Sequence, residues 1–223
     1  MPSTLRRSLP NLLTVARLVI AAAFFTTLSL TIRMGPHADR ALWGNLATVL
    51  FVVAAATDFL DGYLARRWQV VSMFGRIMDP FVDKVLVLGA FVFLASPRFA
   101  VPVPESEGFD RFTMTTGVQS WMVVVILGRE LLVTSIRGVI ESRGIAFGAD
   151  WAGKLKMVLQ CIAIPACLVV AVNEALLEQH WVRIARDILV WATVVVTIWS
   201  CVGYLVRARV LLTKDPSAGG DGA

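Results

Sequence analysis

Asp58, Asp61, Asp79 and Asp83 have the types and the spacing to do chemistry. They fall in DFLDGYLARRWQVVSMFGRIMDPFVDK, residues 58–84, together with Gly62, Arg66 and Gly75. On a helix, Asp58, Asp61 and Ala65 share one face, and Gly75, Asp79 and Asp83, four apart, share another. Two such helices packed face to face would bring four carboxylates together. At reduced dielectric those groups repel strongly, so they must take up protons or surround cations. Oxygen ligands with no His or Cys in the segment point to a hard ion, Mg2+ or Mn2+, and this many acids suffice for two. Gly62 and Gly75 let a bulky ligand approach the backbone closely. Arg66 adds a fixed positive charge suited to phosphate.

The elements that position these residues belong to a membrane. The chain has 223 residues, of which 57% are hydrophobic, and its mean hydropathy is +0.72, well above a soluble domain. Its pattern predicts an all-α, polytopic membrane protein with about six transmembrane helices, too short to hold a further soluble domain of ordinary size. Residues 1–11 form a short basic segment. A first span covers 12–32, read as retained rather than as a cleaved signal because it is long and lacks a small-x-small cleavage site. A second helix covers 42–65 and ends in the first half of the acidic segment. The third runs from Gly75 to residue 95, with Pro80 tolerated in its first turns.

Residues 97–117 read as a polar loop, 118–140 as a fourth span, 151–172 as a fifth and 188–206 as a sixth, after a polar loop at 173–187. The membrane domain therefore occupies 12–207, and residues 208–223 read as a disordered, Gly-rich tail.

Other features bear less on chemistry. The net charge of +5 does not indicate nucleic acid, because the basic residues lie beside apolar spans and not in a basic domain. Cys161, Cys167 and Cys201 sit in apolar stretches with no CxxC spacing, which argues against a disulfide or zinc framework. His37 and His180 read as solvated loop residues.

Charges inside spans are costly and default to function. Arg17 lies in the first span, Arg129, Glu130 and Arg137 in the fourth, and Lys154 and Lys156 open the fifth. Arg17 either snorkels to the interface or lines a cavity. With six spans, both termini, the acids and most Lys and Arg residues share one side, which the positive-inside rule makes cytoplasmic. A cytoplasm-facing cavity that pairs a metal-binding carboxylate cluster with cations of phosphate size suggests phosphoryl chemistry on a lipid.

The segment closely resembles the signature of the CDP-alcohol phosphatidyltransferase family, DxxDGxxAR, eight residues, then GxxxDxxxD, carried by Asp58, Asp61, Gly62, Ala65, Arg66, Gly75, Asp79 and Asp83. The resemblance implies transfer of a phosphatidyl group from CDP-diacylglycerol to an alcohol, with release of CMP. It makes Asp58, Asp61 and Asp79 metal ligands, and Asp83 a residue close to the metals and the general base on the acceptor hydroxyl. Asp61 and Asp83 are then the catalytic pair. Asp58, Gly62, Ala65, Arg66 and Gly75 would contact the cytidine diphosphate.

PNLLTVAR is similar to the entry sequence of the phosphatidylglycerophosphate synthases and related cardiolipin synthases within that family, and GRELLVTSIR and WAGKLKMVLQ to stretches of the phosphatidylglycerophosphate synthases, with Met157 standing where a Thr is usual. They imply sn-glycerol 3-phosphate as the acceptor, its phosphate held by Arg129, Arg137, Lys154, Lys156 and Arg17. Resemblance to the family implies a homodimer, and the chain is expected in the inner (plasma) membrane. Other acceptors, phosphatidylglycerol or an inositol phosphate, are the nearest alternatives. A polyprenyl transferase is disfavoured because its acids would come as two separate Asp-rich motifs. An ion-coupled transporter is disfavoured by the absence of an internal repeat.

Overall fold

Long apolar stretches offer the backbone no hydrogen-bond partner but itself, and in a membrane that leaves the helix as the way to satisfy it. The computed structural model describes residues 3–33, 38–68, 73–102, 112–143 and 151–213. Within them the long helices are α1 (Ser3–Arg33), α2 (Ala38–Trp68), α3 (Met73–Leu94), α4 (Ser120–Ser142), α5 (Trp151–Val172) and α7 (His180–Thr213), with a short α6 (Glu174–Leu177) before the last. Hydroxyl side chains inside them bond back to their own helix, as Thr31 does to the Thr27 carbonyl and Thr197 to the Thr193 carbonyl. Among the described residues, four segments, Thr14–Arg33, Asp39–Asp58, Trp151–Val172 and His180–Leu211, are long and apolar enough to cross a membrane. The architecture is the helical, polytopic one expected.

The core lies where α1, α2, α3, α4, α5 and α7 meet, around Phe24, Phe51, Phe91, Met122, Ile126, Ile164, Leu168 and Val194. The rings of Phe24 and Phe51 stand 5.6 Å apart, joining α1 to α2. α2 approaches α5 closely at Gly44, where a Cβ would come within 2.5 Å of Val172 Cγ1. One residue on, the amides of Asn45 and Asn173 donate to each other, at 3.3 and 2.9 Å. Outward-facing Val49, Val52 and Val53 on α2, and Val195, Ile198, Trp199 and Val202 on α7, are exposed, as suits a surface bathed in lipid chains.

Several boundaries depart from the sequence reading. α1 starts at Ser3 rather than at residue 12. α7 starts at His180, so most of the expected polar loop at 173–187 is helical. The reason lies in Arg186, which is buried, donates from Nε to Asp187 Oδ1 at 2.9 Å, and donates from Nη1 to the Thr115 carbonyl. That tertiary contact carries a polar stretch into the helix. At its other end α7 continues to Thr213, past residue 207, while residues 214–223 lie outside the described part.

The 97–117 loop contains a small antiparallel hairpin, β1 (Ala100–Pro102) with β2 (Phe112–Met114), in the register Ala100↔Met114. Thr116 ties its base to the end of α3 by donating to the Leu94 carbonyl at 2.8 Å, and Thr115 donates to the Phe99 carbonyl at 3.0 Å. The turn into α4 passes through Gly117 at φ 71°, a backbone conformation that favours glycine.

Candidate active site

α3, α4, α5 and α7 each contribute to a cavity of about 210 Å3. α3 brings Asp83 and Lys84, α4 brings Arg129, Glu130 and Arg137, α5 brings Lys154, Lys156 and Gln160, and α7 brings Tyr204. Helical spacing explains the grouping: Arg129 and Arg137 are eight apart on α4, and Lys156 and Gln160 four apart on α5, so each pair lies on one side of its helix. Four of the five cations expected to hold a phosphate are therefore together, with Asp83 in the same cavity.

Burial dictates how the cations are held. Arg129 and Lys156 are both buried, and buried charges need partners. Glu130 Oε1 serves both, accepting from Arg129 Nη1 at 2.9 Å and from Lys156 Nζ. Arg129 Nε also donates to Ser200 Oγ at 3.1 Å. Tyr204 organises the remaining positive charge. Its hydroxyl accepts from Arg137 Nη2 at 2.8 Å, and the guanidinium carbons of Arg129, Arg137 and Arg207 stand 5.4, 5.9 and 4.9 Å from its ring centroid. An aromatic face accommodates several guanidinium groups that would otherwise repel one another. On the opposite wall, Lys84 Nζ donates to Thr134 Oγ1 at 2.6 Å, tying α3 to α4 beside Asp83. Two carboxylates, Asp83 and Glu130, face five cations, Lys84, Arg129, Arg137, Lys154 and Lys156, and the surplus of positive charge suits an anion such as a phosphate dianion.

Arg17 is placed differently. It is 1% exposed, which rules out snorkelling, and its Nη1 lies 2.5 Å from Asp58 Oδ1. It does not line the cavity, although Asp58 and Arg17 both stand within electrostatic range of Asp83. Arg17 thus bears on the carboxylate cluster and not on the cation cluster.

Asp58 and Asp61 lie one turn apart on the continuous α2, and Gly75, Asp79 and Asp83 at successive turns of α3. The side chains of Asp61, Gly62, Ala65, Arg66, Gly75 and Asp79 fall outside the described residues. Among the described residues no three His, Cys, Asp or Glu side chains converge. The two described members of the acidic segment, Asp58 and Asp83, are hard oxygen donors near each other across α2 and α3. That donor chemistry fits Mg2+ or Mn2+.

The sequence reading did not single out Glu130 as the bridge between Arg129 and Lys156, nor Ser200 and Tyr204. A carboxylate beside an arginine in an apolar stretch was a signal for Glu130. A lone Tyr and a lone Ser in the last helix carry no such signal, because their value comes from packing against α4.

A family model described as CDP-alcohol phosphatidyltransferase matches residues 7–199. The chain is 31% identical over 201 residues to a protein of Bacillus subtilis, covering 84% of this chain and 90% of that one. It is 30% identical over 208 residues to a protein of Escherichia coli K12, covering 91% and 95%, and 27% identical over 206 residues to one of Haemophilus influenzae, covering 91% and 94%. All three relatives bear the name CDP-diacylglycerol–glycerol-3-phosphate 3-phosphatidyltransferase.

Proposed function

Because the chain belongs to the CDP-alcohol phosphatidyltransferase family, we propose that it transfers the phosphatidyl group of CDP-diacylglycerol to sn-glycerol 3-phosphate, giving phosphatidylglycerophosphate and CMP. The observation that carries this reading is the single cavity in which Asp83 stands with Arg129, Arg137, Lys154 and Lys156. A proton acceptor and an anion-holding group side by side match an acceptor that presents both a hydroxyl and a phosphate. The names of the relatives support the same acceptor.

In the reaction, the acceptor phosphate rests on Arg129, Arg137, Lys154 and Lys156, with Glu130 fixing the first and last of these. Its primary hydroxyl points at Asp83, which takes the proton as the oxygen attacks the β-phosphorus of CDP-diacylglycerol. The bond from that phosphorus to the bridging oxygen breaks and CMP departs. Asp58, Asp61, Asp79 and Asp83 would hold two divalent ions, Mg2+ or Mn2+, and Arg17 orients Asp58 among them. When bound, the ions supply charge neutralisation of the pyrophosphate and stabilisation of the leaving phosphate. Asp58, Gly62, Ala65, Arg66 and Gly75 would contact the cytidine diphosphate. Asp83 suits a base because it stands in the same cavity as the cations that would hold the acceptor phosphate, within reach of its hydroxyl.

The protein would work as a homodimer in the inner (plasma) membrane with six spans, its termini and cavity on the cytoplasmic side, where Lys and Arg are concentrated in the sequence. The test is CMP release by the purified protein in detergent with CDP-diacylglycerol and Mg2+ or Mn2+, against sn-glycerol 3-phosphate, phosphatidylglycerol, an inositol phosphate and no acceptor. Release with sn-glycerol 3-phosphate alone, abolished by a chelator, is the expected result. Release with only another alcohol overturns the acceptor, and no release with any overturns the transferase reading.

A further inference from the structure

We propose that Gln160 binds the secondary, C2 hydroxyl of the acceptor and so makes the cavity selective for a glycerol-type alcohol, an inference that rests on the reading of sn-glycerol 3-phosphate as acceptor. Gln160 lies one turn beyond Lys156 on α5 and faces the same cavity as Asp83. It is 2% exposed, and among the described residues nothing accepts from its Nε2 amide. Elsewhere in the helices, buried hydroxyls such as those of Thr193 and Thr197 are satisfied by their own backbone carbonyls. A buried amide donor left unmet is costly, and one turned into a polar cavity marks the place of a ligand group.

The chemistry of the amide says which group. It is neutral, so it adds nothing to the cations that already serve a phosphate, and it both donates and accepts, as a hydroxyl does. sn-Glycerol 3-phosphate has three polar groups. The cations take its phosphate and Asp83 takes its attacking hydroxyl, which leaves the C2 hydroxyl between them for Gln160. Lys156 and the carboxylate of Glu130 are engaged with each other and do not compete for it.

The test compares sn-glycerol 3-phosphate with 3-hydroxypropyl phosphate, which keeps the attacking hydroxyl and the phosphate but lacks the C2 hydroxyl, using the full chain and Gln160→Met, a swap of similar volume. The wild-type protein is expected to favour sn-glycerol 3-phosphate in kcat/KM by about 10–100-fold, the range set by a buried hydrogen-bonding group left unpaired. In Gln160→Met that preference should shrink to less than about 3-fold, because neither acceptor then finds a partner at this position. A merely structural role for Gln160 would lower both acceptors together and leave the ratio intact, which overturns the proposal, as does a wild-type protein indifferent to the C2 hydroxyl. Should Gln160→Met turn over neither acceptor, the same ratio is read from the melting-temperature shifts that the two compounds give with Gln160→Met and Gln160→Asn, and an undiminished preference for sn-glycerol 3-phosphate again overturns it. A wild-type protein that releases no CMP with sn-glycerol 3-phosphate sinks the proposed function instead.

Discussion

Glu130→Gln is the substitution whose outcome follows most directly from the geometry. The side chain is 12% exposed and its Oε1 accepts from Arg129 Nη1 at 2.9 Å and from Lys156 Nζ, two cations themselves 8% exposed. The amide keeps the shape and one acceptor but removes the charge, leaving two buried cations uncompensated. Breaking a buried pair by removing one partner costs about 3–5 kcal/mol. For a chain of this size each kcal/mol moves the melting temperature by about 2–4 °C, so a fall of about 6–20 °C is expected. Tryptophan fluorescence during a thermal ramp in detergent measures it.

The same reasoning fixes a second reading. A phosphate placed against Arg129 and Lys156 restores the missing negative charge, so sn-glycerol 3-phosphate should raise the melting temperature of the variant more than that of the wild-type protein. At about 100 times its Kd a ligand contributes about 2.7 kcal/mol, enough to be seen as several degrees. A fall of less than about 2 °C would mean that the cluster is solvated and Glu130 no bridge. A ligand shift smaller than in the wild-type protein would refute the placement of the acceptor phosphate on these cations.

Asp83→Asn should lower CMP release by about 10²–10⁴-fold, the usual contribution of a general base, while binding of CDP-diacylglycerol, measured by its protection against heat, largely persists. Arg137→Ala should raise the KM for sn-glycerol 3-phosphate by about 10–100-fold, since a charge-assisted hydrogen bond is lost. Tyr204→Phe keeps the ring beneath the three arginines and removes the hydroxyl that Arg137 donates to, so its KM effect should stay within about 10-fold; an effect as large as that of Arg137→Ala would contradict the division of roles. Gly117→Ala forces a Cβ into a position with φ 71°, 2.6 Å from Asp187 Oδ1, and should lower the melting temperature without changing the ratio between acceptors; equal stability would show that the turn relaxes at no cost.

The helices near the carboxylates were legible because chemistry and hydrophobicity coincide there. α5 was expected at 151–172 and runs Trp151–Val172, bounded by sharp changes from polar to apolar sequence. The start of α7 was hidden because Arg183, Arg186 and Asp187 look like a loop until Arg186 finds the Thr115 carbonyl, a partner 71 residues away. The hairpin of β1 and β2 has strands of three residues, too short to show an alternation. In the cavity, the cations announced themselves by their charge in apolar sequence, whereas Tyr204 and Ser200 gained their roles only when α7 packed along α4. Arg17 was legible as an anomaly, but its partner Asp58 was a matter of how α1 meets α2.

α7 has 34 residues and so measures about 51 Å, against about 30 Å for the hydrocarbon of a bilayer. Arg186, fastened to the hairpin, and Tyr204, fastened to the arginines, are separated along it by about 27 Å, close to that thickness. On the proposed orientation the helix would act as a depth gauge, Arg186 holding the hairpin at one polar boundary and Tyr204 the cavity at the other. A lipid whose tails stay in the hydrocarbon would meet the cavity with its phosphates already at the right level. It would not have to be lifted out of the bilayer, and a water-soluble acceptor would arrive from the other direction without entering it.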